Sequence, residues 1–316
     1  MPLRARLEPM DLTNKTIAVT GASGMLGAYL CRALLNAGAR VVGVVESPQK
    51  ARFLEAEGVE FRKADLTDRA ALTEAFKGTH AVVSNAALYD VMNHRWSDNY
   101  RANKEGTENV YEAVAAAGVK RVVHISTFGV YRWRLGGAPF DDDSAVLDGA
   151  RKQGGAYRAT KQLSEALAFE LSKKHGIATT AVRPAGIYGA RDSNTVPYLR
   201  VWFGLPITLV PTFRFPWVYA GDVANAVVGA LKNDDSSGKA YITAGANTTV
   251  YEFARAWREA AGSRNLMIPI PVGFGVQVDC SKAEREIGFK NTPFVQGLRE
   301  TFEADAQHKR LTAGAS

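Results

Sequence analysis

A doubly wound α/β fold, a parallel sheet covered by helices on both faces and carrying a small C-terminal cap, is predicted by two observations. From Lys15 to Val182, short β-branched runs alternate with longer helical stretches, the pattern that buries parallel strands beneath crossover helices. The length of 316 residues accommodates one large core plus a smaller lobe.

Strands are expected at Thr16–Thr20, Arg40–Glu46, Val59–Lys63, Ala81–Ser84, Val122–Ile125 and Thr179–Val182. Ahead of the fifth, Tyr100, Asn103, Thr107, Val110 and Val114 recur at three- and four-residue steps, turning one side of a helix to the sheet. A seventh strand, Ala240–Thr243, follows a helix opened by Gly221 and Asp222. Two segments break the alternation: 190–219, rich in Pro and aromatics, and 245–294, where Pro269 and Pro271 interrupt any regular element. The expected division is therefore a sheet domain of 11–189 and 220–244, a cap of 190–219 and 245–304, and flexible termini at 1–10 and 305–316. Gly136 to Gly155 reads as a mobile loop, because the fold resumes directly after it.

With 46% hydrophobic and 22% charged residues, the composition is that of a soluble globular chain. It contains no uninterrupted apolar run of roughly 18 residues, and the N-terminal MPLRARLEPMDL lacks the apolar stretch of a secretory signal. A cytoplasmic protein without a membrane partner is expected. Cys31 and Cys280 stand apart from any Cys/His cluster, so neither a disulfide framework nor a metal site is indicated. The net charge of +7 is dispersed, and its longest basic cluster, His308 to Arg310, lies in the tail. No nucleic-acid partner follows from it; a small-molecule substrate does from the motifs below.

Directly after the first strand comes Gly21-Ala22-Ser23-Gly24-Met25-Leu26-Gly27. Glycines at this spacing permit a tight turn and close approach of backbone to a pyrophosphate, and the helix N-terminus supplies N–H donors. The position between strand and helix makes this a dinucleotide site of Rossmann type rather than a structural turn. About 20 residues beyond Gly27, Glu46 ends the second strand, where a carboxylate accepts from both ribose hydroxyls and repels a 2′-phosphate. NAD is favoured over NADP, with the alternative that Glu46 is a solvated strand end and Lys50 or Arg52 holds a phosphate. Asp65 and Leu66 follow the third strand and would cover the adenine edge, although an Asp opening a helix also reads as an N-cap.

Tyr157 and Lys161 share one helix face at i and i+4. Ser126 and Thr127, in His124-Ile125-Ser126-Thr127, end the fifth strand, where such sheets place their ligands and where a hydroxyl can meet Tyr157.

Together these residues resemble the extended short-chain dehydrogenases/reductases, in the branch of the NAD-dependent epimerases/dehydratases and 3β-hydroxysteroid dehydrogenases. The similarity runs from about Thr13 to about Phe302. The resemblance matches Gly21, Gly24 and Gly27 to the fingerprint, Asn85-Ala86-Ala87 to the end of the fourth strand, and Asn103 with Gly106-Thr107 to a helix signature. It matches Thr127 to the hydroxyl beside the base, with Ser126 as the near alternative. Arg183-Pro184-Ala185-Gly186-Ile187-Tyr188-Gly189 matches the turn over the nicotinamide, and Val218 to Ala224 matches the return to the sheet. It implies Ser23, Met25, Leu26, Pro184 and Ile187 as further cofactor contacts. The implied chemistry uses Tyr157 as general acid/base, its pKa lowered from near 10 by the Lys161 ammonium. Thr127 holds the substrate oxygen in line, and Lys161 also bonds the nicotinamide ribose.

Departures from the family bear on the substrate. Where nucleotide-sugar members carry a Gly-rich stretch and Arg-Asp-Phe, this chain has Pro211 to Trp217, which leaves Arg214 as the displaced counterpart of a nucleotide clamp. Asn85 replaces a common His, and Arg132 replaces a Gly after Tyr131. The cap gathers Trp202, Phe203, Phe213, Phe215 and Trp217, which line an apolar pocket or form ordinary cap core. Tyr89, Trp202, Phe213 and Arg214, with Thr127, are the candidate substrate contacts. The leading expectation is an NAD-dependent oxidoreductase of a secondary alcohol or ketone that is largely not a sugar. The alternatives are a nucleotide-sugar epimerase or dehydratase, and a regulatory protein that binds NAD(H) without turnover. A stripe of Leu163, Leu167 and Leu171 on the Tyr157 helix suggests a homodimer.

Overall fold

The computed structural model describes residues 10–89, 95–134, 136–149 and 154–313, with side chains described up to His308. The N-terminal segment, part of the Gly136 to Gly155 loop and the side chains of the tail's Lys309 and Arg310 lie outside the described residues.

Seven strands form the central sheet: β1 (Thr16–Thr20), β2 (Arg40–Val45), β3 (Glu60–Lys63), β4 (Ala81–Ser84), β5 (Arg121–Ile125), β6 (Ala178–Pro184) and, later in the chain, β10 (Ala240–Thr243). Their order is β10-β6-β5-β4-β1-β2-β3, and every pairing is parallel. Strands in such a sheet are covered on both faces, so they read as continuous apolar runs; β4 and β5 are buried along their whole length. The order reverses between β1 and β4, and the crevice beyond the carboxyl ends there is where this topology binds ligands.

On one face α1 (Met25–Asn36) packs against α7 (Ala220–Lys232). A 3-10 segment, Pro48–Glu57, joins them through Ala51 and Leu54. The other face is covered by α2 (Arg69–Phe76), α4 (Gly106–Ala116) and α5 (Gly155–His175), through Phe76, Val110, Val114 and Leu171. Ahead of α4 a short helix, α3 (Trp96–Asn99), continues through a π-helical stretch, Tyr100–Glu105, a local widening that recurs at functional sites.

The remaining elements are β7 (Gly186–Tyr188), α6 (Val196–Phe203), β8 (Ile207–Pro211), β9 (Trp217–Tyr219), α8 (Val250–Ala260), β11 (Leu266–Ile270), α9 (Ser281–Ile287) and α10 (Phe294–Ala313). β7 pairs with β9 and β8 with β11, both in parallel. A separate apolar cluster of Tyr188, Phe203, Phe253, Trp257 and Leu298 holds α6, α8 and α10 together. A capping box fixes the start of α8: Glu252 N–H donates to Thr249 Oγ1 at 3.1 Å, and Thr249 N–H donates to Glu252 Oε2 at 2.7 Å.

Three details differ from the sequence reading. Pro269 does not interrupt its segment but sits inside β11, which is tolerated because a two-stranded sheet leaves each strand with a free edge. α9, placed in the cap by the sequence reading, packs on α7 and β10. The final helix continues past Ala304, where fraying was expected, because the Asp305 carboxylate accepts from Arg191 N–H at 2.8 Å and from Arg200 Nη2 at 2.9 Å. Among the described residues no helix is long and apolar enough to cross a membrane.

Candidate dinucleotide and catalytic site

The Gly21 turn leaves β1 with φ +66°, the left-handed region that favours glycine. A Cβ on Gly21 would stand 2.9 Å from Ala86 Cα, and one on Gly27 would stand 2.2 Å from the Gly21 carbonyl oxygen. Both positions therefore exclude any side chain. Gly24 is the N-cap of α1 and offers no side-chain cap, so the first N–H groups of the helix, at Met25 and Leu26, are available to an anion. Ser23 and Met25 are half-buried, and Leu26 is buried.

From β4, Asn85 and Ala86 brace this turn. Their N–H groups donate to Thr20 Oγ1 at 2.9 and 3.0 Å, and the Asn85 amide donates to the Thr20 carbonyl at 3.2 Å. The Asn that replaces a common family His thus ties β4 to β1. Ala87 follows, exposed. Glu46 lies exposed just past the end of β2. Asp65 turns back on its own loop, accepting from Thr67 N–H at 2.7 Å and Thr67 Oγ1 at 2.6 Å; these bonds lower its pKa. The N-cap of α2 is Asp68 instead, and Leu66 packs over Gly106.

Asn103 is only 1% exposed, and its side chain is committed within the protein. It accepts from Leu88 N–H at 2.7 Å and donates to Thr160 Oγ1 at 3.1 Å. The structure therefore gives it the task of tying the segment after β4 to α5. The ladder continues through Thr107 and Ser164, 2.8 Å apart, to His124 Nε2 at 3.3 Å from Ser164 Oγ. Burial, reinforced by the Lys161 charge, holds His124 well below its ordinary pKa, so the ring is neutral.

Tyr157 and Lys161 lie on consecutive turns of α5, facing the end of β5. The Tyr157 phenol stands beside the Thr127 hydroxyl, which favours its ionised form, and its ring meets Tyr89 edge-on at 5.0 Å. Thr127 also accepts from Gly129 N–H at 3.1 Å, capping a one-turn 3-10 helix, Phe128–Val130. Ser126, the near alternative, is buried with its hydroxyl unpartnered, while its N–H donates to the Val182 carbonyl at 2.7 Å. Between the two, Thr127 is the hydroxyl beside the tyrosine.

The electrostatics differ from the expected arrangement. Lys161 is 4% exposed and donates to the Ile125 carbonyl at 2.7 Å; burial lowers its pKa to about 8, opposed by the Glu165 carboxylate one turn on. Tyr157 is not depressed by this lysine. Burial, with Tyr89 beside it, raises the phenol above the ordinary tyrosine range, and the Thr127 hydroxyl only partly opposes that.

Behind Lys161, Glu165 makes a bidentate pair with Arg183 of β6 at 2.6 and 2.9 Å. Arg183 also donates to the Tyr131 hydroxyl at 2.7 Å and to the Asp142 carbonyl at 3.2 Å. Glu165 and Asp142 were not singled out from the sequence. Pro184, next along β6, is buried, and Ile187 of β7 is half-buried.

A further residue went unnoticed. Arg191 holds a left-handed backbone, φ +67°, uncommon for a residue with a Cβ. Its guanidinium lies 3.6 Å from the centre of the Phe53 ring, and its Nη2 donates to the Ser23 carbonyl at 3.5 Å. Its Nη1 is buried without a partner, and burial, then the nearby Arg32 charge, disfavours its ionised form. A phosphoryl oxygen at the glycine turn would satisfy that orphaned donor. The blocked Cβ positions and this donor are what a dinucleotide requires of the site.

The cap aromatics fit the core alternative. Phe203 and Trp217 are buried, and Trp202, Phe213 and Phe215 pack half-buried against the same cluster. Arg214 is exposed and bridges Thr249 and Gly275 through its backbone. Tyr89 is exposed and its carbonyl accepts from Asn194 at 3.1 Å. Of the leucine stripe on α5, Leu171 is buried, Leu167 packs half-buried on the adjoining cluster and Leu163 is half-buried. Both cysteines are buried as free thiols.

A nucleotide-fingerprint turn at the switch point of a parallel sheet, with a tyrosine and lysine one helical turn apart beside the next strand end, defines a short-chain dehydrogenase/reductase type of enzyme. The model of the NAD dependent epimerase/dehydratase family matches residues 17–244, and the chain belongs to that family, within the extended short-chain dehydrogenases/reductases. It is 34% identical over 67% of its length to a 4-hydroxy-2-methyl-3-oxo-4-farnesyl-3,4-dihydroquinoline-1-oxide ketoreductase of Stigmatella aurantiaca, spanning 62% of that protein. It is 29% identical over 81% of its length to sterol demethylase protein B of Methylococcus capsulatus, spanning 77% of that one. A UDP-glucose-4-epimerase structure from Stenotrophomonas maltophila with bound NAD superposes with a TM-score of 0.82 at 22% identity, covering 94% of this chain and all of the other; it shares the fold.

Proposed function

We propose that this chain is an NAD-linked ketoreductase, interconverting a ketone and a secondary alcohol on a largely apolar, non-sugar substrate. The observation that carries the reading is the placement of half-buried Tyr157 one helical turn before Lys161, whose ammonium is held at the end of β5 beside Thr127, with burial raising the phenol's pKa. A phenol that keeps its proton at neutral pH is a general acid, suited to protonating the oxygen of a ketone as it is reduced. Bound NADH supplies the hydride. Thr127 fixes the carbonyl oxygen beside the phenol. Lys161, held by the Ile125 carbonyl, presents its ammonium to the adjoining ribose. Met25 and Leu26 N–H groups and Arg191 hold the phosphates, and exposed Glu46 accepts from the adenosine ribose hydroxyls, which favours NAD over NADP. The similarity to a ketoreductase that acts, by its name, on a farnesylated quinoline oxide agrees with an apolar substrate.

The test combines turnover and nucleotide content. The purified chain is expected to release no stoichiometric NAD on denaturation and to oxidise NADH with a panel of apolar ketones. Tyr157→Phe is expected to lower that turnover by roughly 10²–10⁴-fold with NADH binding unchanged. Stoichiometric NAD, with interconversion of nucleotide sugars and no ketone turnover, overturns the reading in favour of an epimerase cycle.

A further inference from the structure

The two-stranded sheet of β8 and β11 breaks the usual rule for a half-covered sheet, in which one face meets the core and the other is polar. Its inward residues, Thr208, Val210 and Met267, are buried. Its outward positions are also apolar: Ile207 is 61% exposed, Leu209 55%, Leu266 55%, Ile268 39% and Ile270 41%. The register aligns Leu266 with Ile207 and Ile268 with Leu209, so these side chains form one contiguous face. Of the twelve large hydrophobic residues exposed among the described residues, nine lie in residues 198–209 or 266–274. A patch of this kind marks an interaction surface.

Charge and backbone chemistry identify what it meets. Residues 193–221 and 260–278 contain Arg200, Arg214 and Arg264 and no Asp or Glu; all three arginines are exposed, and Arg200 is paired with Asp305 of α10, which leaves Arg214 and Arg264 as the charges for the headgroups. An apolar face on segments that carry arginine and no carboxylate of their own is complementary to an anionic lipid surface. A second copy of the chain would carry the same positive charge to the contact, and Pro206, Pro211, Pro269 and Pro271 obstruct strand-to-strand addition at its edges.

We propose that the outward face of β8 and β11 seats the protein on anionic membranes, with its apolar side chains in the acyl boundary and its arginines at the headgroups. Such a device needs no spanning helix, because its apolar residues alternate along two short strands. The inference stands independently of the catalytic reading.

The experiment is co-sedimentation of the full chain with phosphatidylcholine vesicles and with vesicles containing phosphatidylglycerol. Binding is expected to the anionic vesicles, weakened by salt. The triple variant Ile207→Gln/Leu209→Gln/Ile268→Gln is expected to lose at least tenfold in partitioning, and Arg264→Gln roughly fivefold, each with the wild-type melting temperature, since these side chains are not part of the core. Absence of vesicle binding by the wild type overturns the proposal. So does a wild-type dimer, by light scattering, that the triple variant dissociates, because the face is then covered by a second copy.

Discussion

The two halves of the site are built from different materials. Around Gly21 the shape is made by missing side chains: a Cβ at Gly27 would stand 2.2 Å from the Gly21 carbonyl oxygen, so the turn exists only because nothing fills it. Around Lys161 the shape is made by side chains that hold one another, from Glu165 to Arg183 to Tyr131 and the Asp142 carbonyl. The first half is a backbone device that fails under addition. The second is a polar network, which fails when a partner is removed and a buried group is left unsatisfied.

The largest effect that separates them is expected at Gly27→Ala. The added methyl meets backbone rather than a flexible side chain, so the turn must open, at a cost of about 3 kcal/mol in stability and at least tenfold in NADH affinity. Gly58→Ala is the control. Unlike Gly27 it has a left-handed φ, +97°, and its Cβ would meet nothing within 4 Å, so only the backbone penalty of about 1–2 kcal/mol applies and NADH binding is unchanged. Denaturant unfolding and NADH fluorescence titration of both variants measure this. Equal losses would show that the glycine turn is not specified by close approach.

Arg191 is where a side chain enters the backbone-built half. Arg191→Gly removes the guanidinium and relieves the left-handed strain, so stability is expected to change by less than about 1 kcal/mol. Dinucleotide affinity should fall roughly tenfold, the scale of a lost charge-assisted hydrogen bond. Equal losses for NADH and NADPH place the contact at the pyrophosphate, and a loss confined to NADPH places it at a 2′-phosphate. Unchanged affinity for both dissociates Arg191 from the cofactor.

This contrast also explains what could be read from the sequence. The glycine turn was legible because its requirement is a local backbone property, and Tyr157 with Lys161 because one helix carries both at adjacent turns. β1, β4 and β10 fell where the apolar runs placed them, since strands buried on both faces leave an uninterrupted signal. The partners of Arg191 and Arg183 were not legible: Ser23 is 168 residues from Arg191 in the chain, and nothing local marks such pairs. β8 and β11 were missed because short strands flanked by proline look like breaks, and because an apolar residue at every outward position imitates a core strand. The sequence shows the proximity of Lys161 to Tyr157 but not the desolvation that lowers the lysine's pKa and raises the phenol's.

The smallest and sharpest test concerns Asp142, in the half made of side chains. Its carboxylate accepts from the Ile242 N–H of β10, and burial raises its pKa to about 6, opposed by that bond and by the charges of Lys282 and Arg183. A carboxyl whose folded value lies above its unfolded value near 3.9 favours the folded state in its protonated form. That contribution is present below about pH 4 and is lost as the pH rises through about 6. Asp142→Asn keeps an oxygen for Ile242 and removes the buried charge. The variant is expected to gain on the order of 1 kcal/mol at pH 7 and nothing at pH 4, read as a difference in melting temperature that closes as the pH falls. A loss of stability at pH 7 would instead show that the carboxylate is needed in its ionised form, held by Lys282 and Arg183 more firmly than burial disfavours it.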